Sequence, residues 1–420
     1  MAAVPDFVPF RALRFVPDVA ITGATRPGDL TRVCAPPYDV IEPEDRAALL
    51  DIDPRNMVRL ILPDTYDDAA ATLARWRASG LLAADGQSSF SVYRMTFTGD
   101  DGRPTTTTGV IGALALDPGA VLPHERTLPK AKSDRLELLR ATRANLEPVW
   151  GISLAGGLSA LLKPTGPPLA RADDADGVLH ELWRIDDPAR IAAIHAAVSG
   201  DAVVLADGHH RYETSCTYRD ERNAEGIADP AAGFIMILIV ELADDELCVR
   251  AIHRLLHGTG GIDLRAALEP WFTVRDAGPN TSDGVLALEA SMHTDGGLGL
   301  VDHGGLALLL PRAELDAAMT ALPAALHDVD SARFDVGVLP ALGDATLAYR
   351  NDARTVAAQV AKGAADAAVL LRPVSVATIR AAAADGVRMP EKTTFFAPKP
   401  RTGMVMRAFE DEVGGDATSD

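Results

Sequence analysis

Apolar positions along the chain fall into short runs of two periodicities, and together they predict a protein of alternating strands and helices. Runs of four to eight apolar or alternating residues, bounded by turn formers, read as strands at 56–63, 89–98, 105–113, 149–154, 201–206, 234–240 and 248–251. Between the second and third of these, Gly99-Asp100-Asp101-Gly102 is a hairpin signal. Helical spacing predicts helices at 43–50, 67–79, 188–198 and from just after Arg211 to about 223. In the second of these, Leu73 and Trp76 lie three apart on one face. Ser133 is a candidate cap for a helix reaching about 144. Residues 5–41 read as short strands and loops. Within them Ala35-Pro36-Pro37-Tyr38-Asp39-Val40-Ile41 is expected to be extended, because proline restricts the residue before it. Residues 164–177, rich in Pro, Gly and Asp, read as a surface loop.

Beyond about residue 260 the apolar positions become Ala- and Leu-rich, and helix and strand patterns alternate at 264–271, 305–310, 312–321, 354–362, 367–372 and 375–384. A length of 420 residues also exceeds one ordinary domain. The expected fold class is α+β or mixed α/β. The expected division is a ligand-binding or catalytic domain over 1–260 and a second α/β domain over 261–385. A basic, aromatic segment over 386–410 would return to the site and close with a strand at 404–407. Residues 411–420 would form a disordered tail.

Apolar residues make up 47% of the chain, enough for a sizeable core, while the net charge is −19. That charge argues against nucleic acid or an anionic membrane surface as partner, and it makes any local basic cluster more telling. Three cysteines, Cys34, Cys216 and Cys248, have neither CxxC nor zinc spacing and suit a reducing compartment. The first ten residues do not read as a signal peptide. The longest apolar run, 234–240, is far shorter than the roughly 20 residues of a membrane helix. A cytoplasmic protein acting on a small molecule is expected. No feature of the sequence bears on its oligomeric state.

The chemistry concentrates where the run at 201–206 ends in Asp207-Gly208-His209-His210-Arg211-Tyr212. Glycine there permits a tight turn and close approach of backbone to a ligand. The first amides of a following helix lack intrahelical partners and carry partial positive charge, so the turn suits an anion, most naturally phosphate. Adjacent helical residues diverge by about 100°, which keeps His209 and His210 from sharing one metal. The plainer alternative is Asp207 as an ordinary helix cap.

A second basic cluster, His124-Glu125-Arg126-Thr127-Leu128-Pro129-Lys130-Ala131-Lys132-Ser133-Asp134-Arg135, continued by Arg140 and Arg143, reads as an anion clamp or as a solvated helix face and loop. A third, Met389-Pro390-Glu391-Lys392-Thr393-Thr394-Phe395-Phe396-Ala397-Pro398-Lys399, either holds a polar ligand or packs its phenylalanines into a core. Asp39, after the double proline, is either a rigidly aimed carboxylate or part of a simple turn. The phosphate loop of P-loop enzymes, GxGxxG after a strand, HExxH and GxSxG are all absent from the sequence.

Six separated segments, APPYDVI, VRLILP, HERTLPK with DRLELLRATRANL, ADGHHRYET, AIHR and MPEKTTFFAPK, resemble in order a prokaryotic family known as domain of unknown function 1015. The strand leading into Asp207-Gly208-His209-His210-Arg211 is also similar to the phosphate-binding turn of the ParB/sulfiredoxin superfamily, whose free-serine kinases carry an Asp-Gly-His version. That resemblance implies a ParB/sulfiredoxin-like first part and nucleotide-dependent phosphoryl transfer to a small hydroxylated metabolite, serine first. Sulfiredoxins carry cysteine in this turn and ParB proteins usually pair two arginines. Here His209 and a single Arg211 stand in those places, which puts sulfur chemistry and DNA partitioning in doubt.

On this reading ATP or ADP is the donor and Mg²⁺ accompanies it. Gly208, Arg211, His124, Arg126, Lys130 and Lys392 would bind its phosphates. Asp207, His209 and His210 would form the catalytic turn, with Asp39 or Glu125 as base. Two alternatives stay open: a phosphatase acting on phosphoserine or a similar monoester, and a non-catalytic sensor of a nucleotide or phosphorylated metabolite.

Overall fold

The computed structural model describes residues 4–16, 26–99, 102–117, 119–123, 132–243 and 246–412. They separate into two units. One holds the described residues up to Cys248 together with those from Pro398 onward, and the other holds Val249–Ala397. The protein is of mixed α+β class. Among the described residues no helix is long and apolar enough to cross a membrane.

The first unit is built on a sheet of nine described strands: β1 (Phe7–Val8), β2 (Phe90–Thr98), β3 (Pro104–Ala115), β4 (Val121–Pro123), β5 (Val149–Ser153), β6 (Ala170–Asp173), β7 (Leu179–Ile185), β8 (Val203–Asp207) and β9 (Phe234–Glu241). Their order across the sheet is β4-β8-β5-β9-β3-β2-β7-β6, with β1 also pairing β3. β8 runs parallel to β4 and antiparallel to β5, whereas β9 runs parallel to β5. The interior β9 is a continuous apolar run because both its faces are covered. The core gathers Phe7, Phe90, Val110, Val149, Val203, Leu205, Ile237 and Ile239. Phe7 and Phe90 stack with centroids 4.8 Å apart. The helices of this unit include α1 (Pro43–Ile52), α2 (Tyr66–Ala78), α3 (Lys132–Thr142), α4 (Pro188–Val198) and α5 (His209–Ala224).

Periodicity located most of these elements, and the exceptions have local causes. Residues 56–63 are not a strand but hold a helical turn, Val58–Ile61. Asn56 decides this: its Oδ1 accepts from the Val58 amide at 3.0 Å, and its Nδ2 donates to the carbonyls of Arg32 and Cys34. A short apolar run leaves that choice to such caps. The expected loop at 164–177 contains β6, an edge strand fixed by pairing with β7, with Arg171 opposite Glu181. Ser133 lies inside α3 rather than capping it. The closing strand is Arg407–Ala408, paired with Ala144–Asn145, rather than 404–407. Tyr38–Val40 form a single 3-10 turn, since Pro37 constrains the residue before it and not those after.

The second unit carries a six-stranded sheet with order β11-β13-β12-β15-β10-β14, built from β10 (His253–His257), β11 (Phe272–Gly278), β12 (Leu298–Asp302), β13 (Gly305–Pro311), β14 (Thr346–Arg350) and β15 (Ala367–Leu370). Helices α6 (Ser282–Asp295) and α7 (Ala353–Ala361) place Val285, Leu288, Met292, Val356 and Val360 in its core, beside Val301, Leu308 and Leu370.

Candidate functional site

Strand β8 delivers Asp207 to the sheet end, and a register irregularity against β5 between Leu205 and Asp207 sets the direction of its carboxylate. The next residue, Gly208, has φ +85°, in the left-handed region, and stands at the N-cap of α5. A Cβ at this position would come within 2.8 Å of Val149 Cγ1 and 3.0 Å of Arg211 Nη2. Glycine is therefore required twice over, by backbone conformation and by space. The helix begins at His209, three residues earlier than expected, with Gly208 at its N-cap, so Asp207 is not its cap. Among the described residues no side chain caps α5.

Asp207 lies between two cations. Its Oδ1 accepts from Lys399 Nζ, and its Oδ2 accepts from Arg211 Nη2 at 3.1 Å. Burial alone would raise its pKa, but Lys399, Arg211 and the nearby His209 override this and bring it down to about 2. Arg211 faces inward, and its Nη1 donates to the Pro148 carbonyl at 2.9 Å. Burial disfavours its charge, and Glu147, Asp207 and Asp39 more than restore it, so its pKa is raised. The guanidinium sequence reasoning assigned to phosphate is thus engaged in holding Asp207.

Glu147, which sequence reasoning passed over, joins two further segments to this centre. Its Oε1 accepts from the Tyr38 amide at 3.0 Å and from Thr402 Oγ1 at 2.9 Å. Burial pushes its pKa up, opposed by Arg211 and Arg135. The Tyr38 ring sits 4.2 Å from the guanidinium carbon of Arg135 and 6.0 Å from that of Arg211. Asp39 follows it, exposed on the same turn and close enough to act on the charges of Arg211 and Glu147. A cavity of about 60 Å³ lies behind the turn, lined by Arg135, Asn145, Glu147, Arg211, Thr214 and Ser215 with apolar neighbours. Thr214 Oγ1 is buried there with no hydrogen-bond partner among the described residues.

His209 and His210 open α5, half-buried and on diverging faces, and His210 Nδ1 is buried with no partner among the described residues. His124, Glu125, Arg126 and Lys130 lie outside the described residues. Lys392 belongs to the second unit, where its carbonyl accepts from Arg254 Nη1 at 2.9 Å. From the same basic, aromatic segment it is Lys399, seven residues on, that reaches Asp207. The sequence signal for Lys399 was its place in a proline-flanked basic stretch, and Glu147 carried none beyond its proximity to a strand.

Among the described residues no group of three or more His, Cys, Asp or Glu is placed to hold a metal ion. The donors around Asp207 do not fit a resident Mg²⁺, because both carboxylate oxygens face cations.

A family model for proteins of unknown function, DUF1015, matches residues 7–331, more than half of the chain. The chain belongs to the DUF1015 family. No curated protein matches it by sequence. Among solved structures, this DUF1015 member is similar to a conserved hypothetical protein from Pyrococcus furiosus, with 14% identity, TM-score 0.37, and 72% of this chain and 97% of the other covered. It is similar to a free serine kinase in complex with AMP, with 14% identity, TM-score 0.39, and 72% and 93% covered. It is also similar to a C-terminally truncated SbnI from Staphylococcus aureus, with 12% identity, TM-score 0.37, and 73% and 90% covered.

Proposed function

We propose that this DUF1015 protein transfers a phosphoryl group from an adenine nucleotide, ATP or ADP, to a small hydroxylated metabolite, with free serine the first candidate acceptor. One observation carries the reading: a sixteen-residue helix opens on a left-handed glycine directly after a carboxylate flanked by Lys399 and Arg211. The start of that helix carries partial positive charge and aims backbone amides along its axis, which suits a phosphate. Lys399 brings positive charge to the same turn in a chain of strong negative charge. Asp207 holds both cations in place, and phosphoryl transfer depends mainly on this kind of fixed charge. Asp39, on the Tyr38–Val40 turn of the same unit, is the candidate base for the acceptor hydroxyl.

The test combines calorimetric binding of ADP, ATP and AMP with phosphorus NMR of nucleotide mixed with L-serine and other small alcohols. A phosphomonoester forming only when nucleotide is present, lost in Asp207→Asn while nucleotide binding persists, supports the proposal. Phosphate release from phosphoserine without nucleotide would make the protein a phosphatase instead. Tight nucleotide binding with no turnover of any acceptor would make it a sensor. Absence of binding by every nucleotide would overturn the anion-turn reading itself.

A further inference from the structure

The segment that carries Lys399 is anchored at its far end by a buried hydrogen-bonded chain outside the turn. The Arg401 amide donates to the Tyr93 hydroxyl at 2.9 Å. Tyr93 lies 2.8 Å from His180 Nδ1, and His180 Nε2 lies 3.1 Å from Asp174 Oδ2. Tyr93 is 1% exposed and His180 fully buried. An amide can only donate, so the tyrosine oxygen accepts there and its own proton is free for His180 Nδ1. That assigns the imidazole proton to Nε2, where it donates to Asp174. Every donor in the chain then points toward one carboxylate, which also accepts the amides of Asp176 and Val178 at 2.9 and 2.8 Å.

The next residue, Thr402, exchanges backbone hydrogen bonds with Ala35 at 2.9 and 3.1 Å and gives its hydroxyl to Glu147. Lys399 is thus two residues from a backbone held on both sides. We infer that Tyr93, His180 and Asp174 form a positioning relay that fixes the 399–402 backbone and so aims the Lys399 ammonium at Asp207. The Tyr93 hydroxyl is the decisive link. Without it the Arg401 amide and the fully buried His180 Nδ1 both lose the partner they have here.

The relay rests on geometry alone, whereas its consequence for ligand binding rests on the function proposed above. The chain has six lysines, so reductive ¹³C-methylation of the full-length protein yields a simple spectrum in which Lys399→Arg assigns the Lys399 signal. Tyr93→Phe is expected to move that signal toward those of solvent-exposed lysines. Asp174→Asn should move it less, in the same direction, and serves if Tyr93→Phe does not fold. Gly226→Ala, a destabilising change at the far end of α5, should leave it in place, which separates positioning from general loosening. An unmoved Lys399 signal in folded Tyr93→Phe overturns the relay. The affinity for ADP should fall about fivefold in Tyr93→Phe, the scale set by loss of one ordering hydrogen bond. If Lys399 moves but ADP binds neither form, the relay stands and the proposed function fails. If ADP binds both equally and Lys399 is still, the function stands and the relay fails.

Discussion

Replacing Gly208 by alanine tests the tight turn on which the candidate site depends. Two costs add. A non-glycine residue at φ +85° pays about 1–2 kcal/mol for the left-handed backbone. The new methyl also stands 2.8 Å from Cγ1 of Val149, a fully buried residue of β5 that cannot yield without disturbing the core. Overpacking of this kind costs about 1–3 kcal/mol, so the whole change should destabilise by about 2–5 kcal/mol. Gly226 provides the control. It follows the C-terminus of the same helix at φ +70°, and its Cβ would meet nothing within 4 Å. Gly226→Ala should therefore show the backbone cost alone, about 1–2 kcal/mol. Three of the four tryptophans, Trp76, Trp150 and Trp183, lie in the first unit, and Trp150 pairs directly with Asp207 across β5 and β8. Guanidinium unfolding followed by tryptophan fluorescence consequently reports chiefly on the unit that contains the turn. Equal losses in the two variants would refute the claim that β5 and Arg211 crowd this glycine.

The remaining expectations concern the charges around the turn. Asp207 ionises near 2 instead of its ordinary 3.8, so its charge adds about 2 kcal/mol of stability. Because the folded value is the lower one, that contribution is present above about pH 4 and is lost as pH falls through about 2. Asp207→Asn should flatten this part of the stability profile between pH 2.5 and 5, and an unchanged slope would contradict the assignment. Lys399→Met removes the cation that most depresses Asp207, so acid unfolding should begin at higher pH, with about 1–3 kcal/mol lost at pH 7. An acid-unfolding curve that overlays the parent would exclude Lys399 as the cause. Glu147 has the opposite sign: burial raises its pKa, so its ionised form costs stability as pH rises through the folded value. Glu147→Gln, which can still accept from Tyr38 and Thr402, should cost less than about 1 kcal/mol at pH 7 or stabilise. Glu147→Ala leaves both donors unpaired and should cost about 2–4 kcal/mol, and denaturant midpoints for the pair would reveal any other order.

Local pattern alone determined the helices at 43–52, 66–78 and 188–198, the hairpin of β2 and β3, the buried β9, and the strand-to-helix turn at Asp207. Each depends on periodicity, a turn signal or a single glycine, all of which act over a few neighbouring residues. The pattern failed where the deciding contact was distant or specific. Asn56 turned an apolar run into a helix by bonding to residues more than twenty positions away, and β6 exists because β7 pairs with it. Partnership at the site was beyond reach for the same reason. The sequence marked Asp207, Gly208 and Arg211 as one cluster, but that Arg211 would turn inward to Pro148 and Asp207 depends on burial beside β5. Lys399 meets Asp207 across 192 positions of chain, and Thr402 meets Glu147 across 255. Attraction between charges depends on separation in space, and that separation is set only when the 398–412 segment folds back onto the first unit.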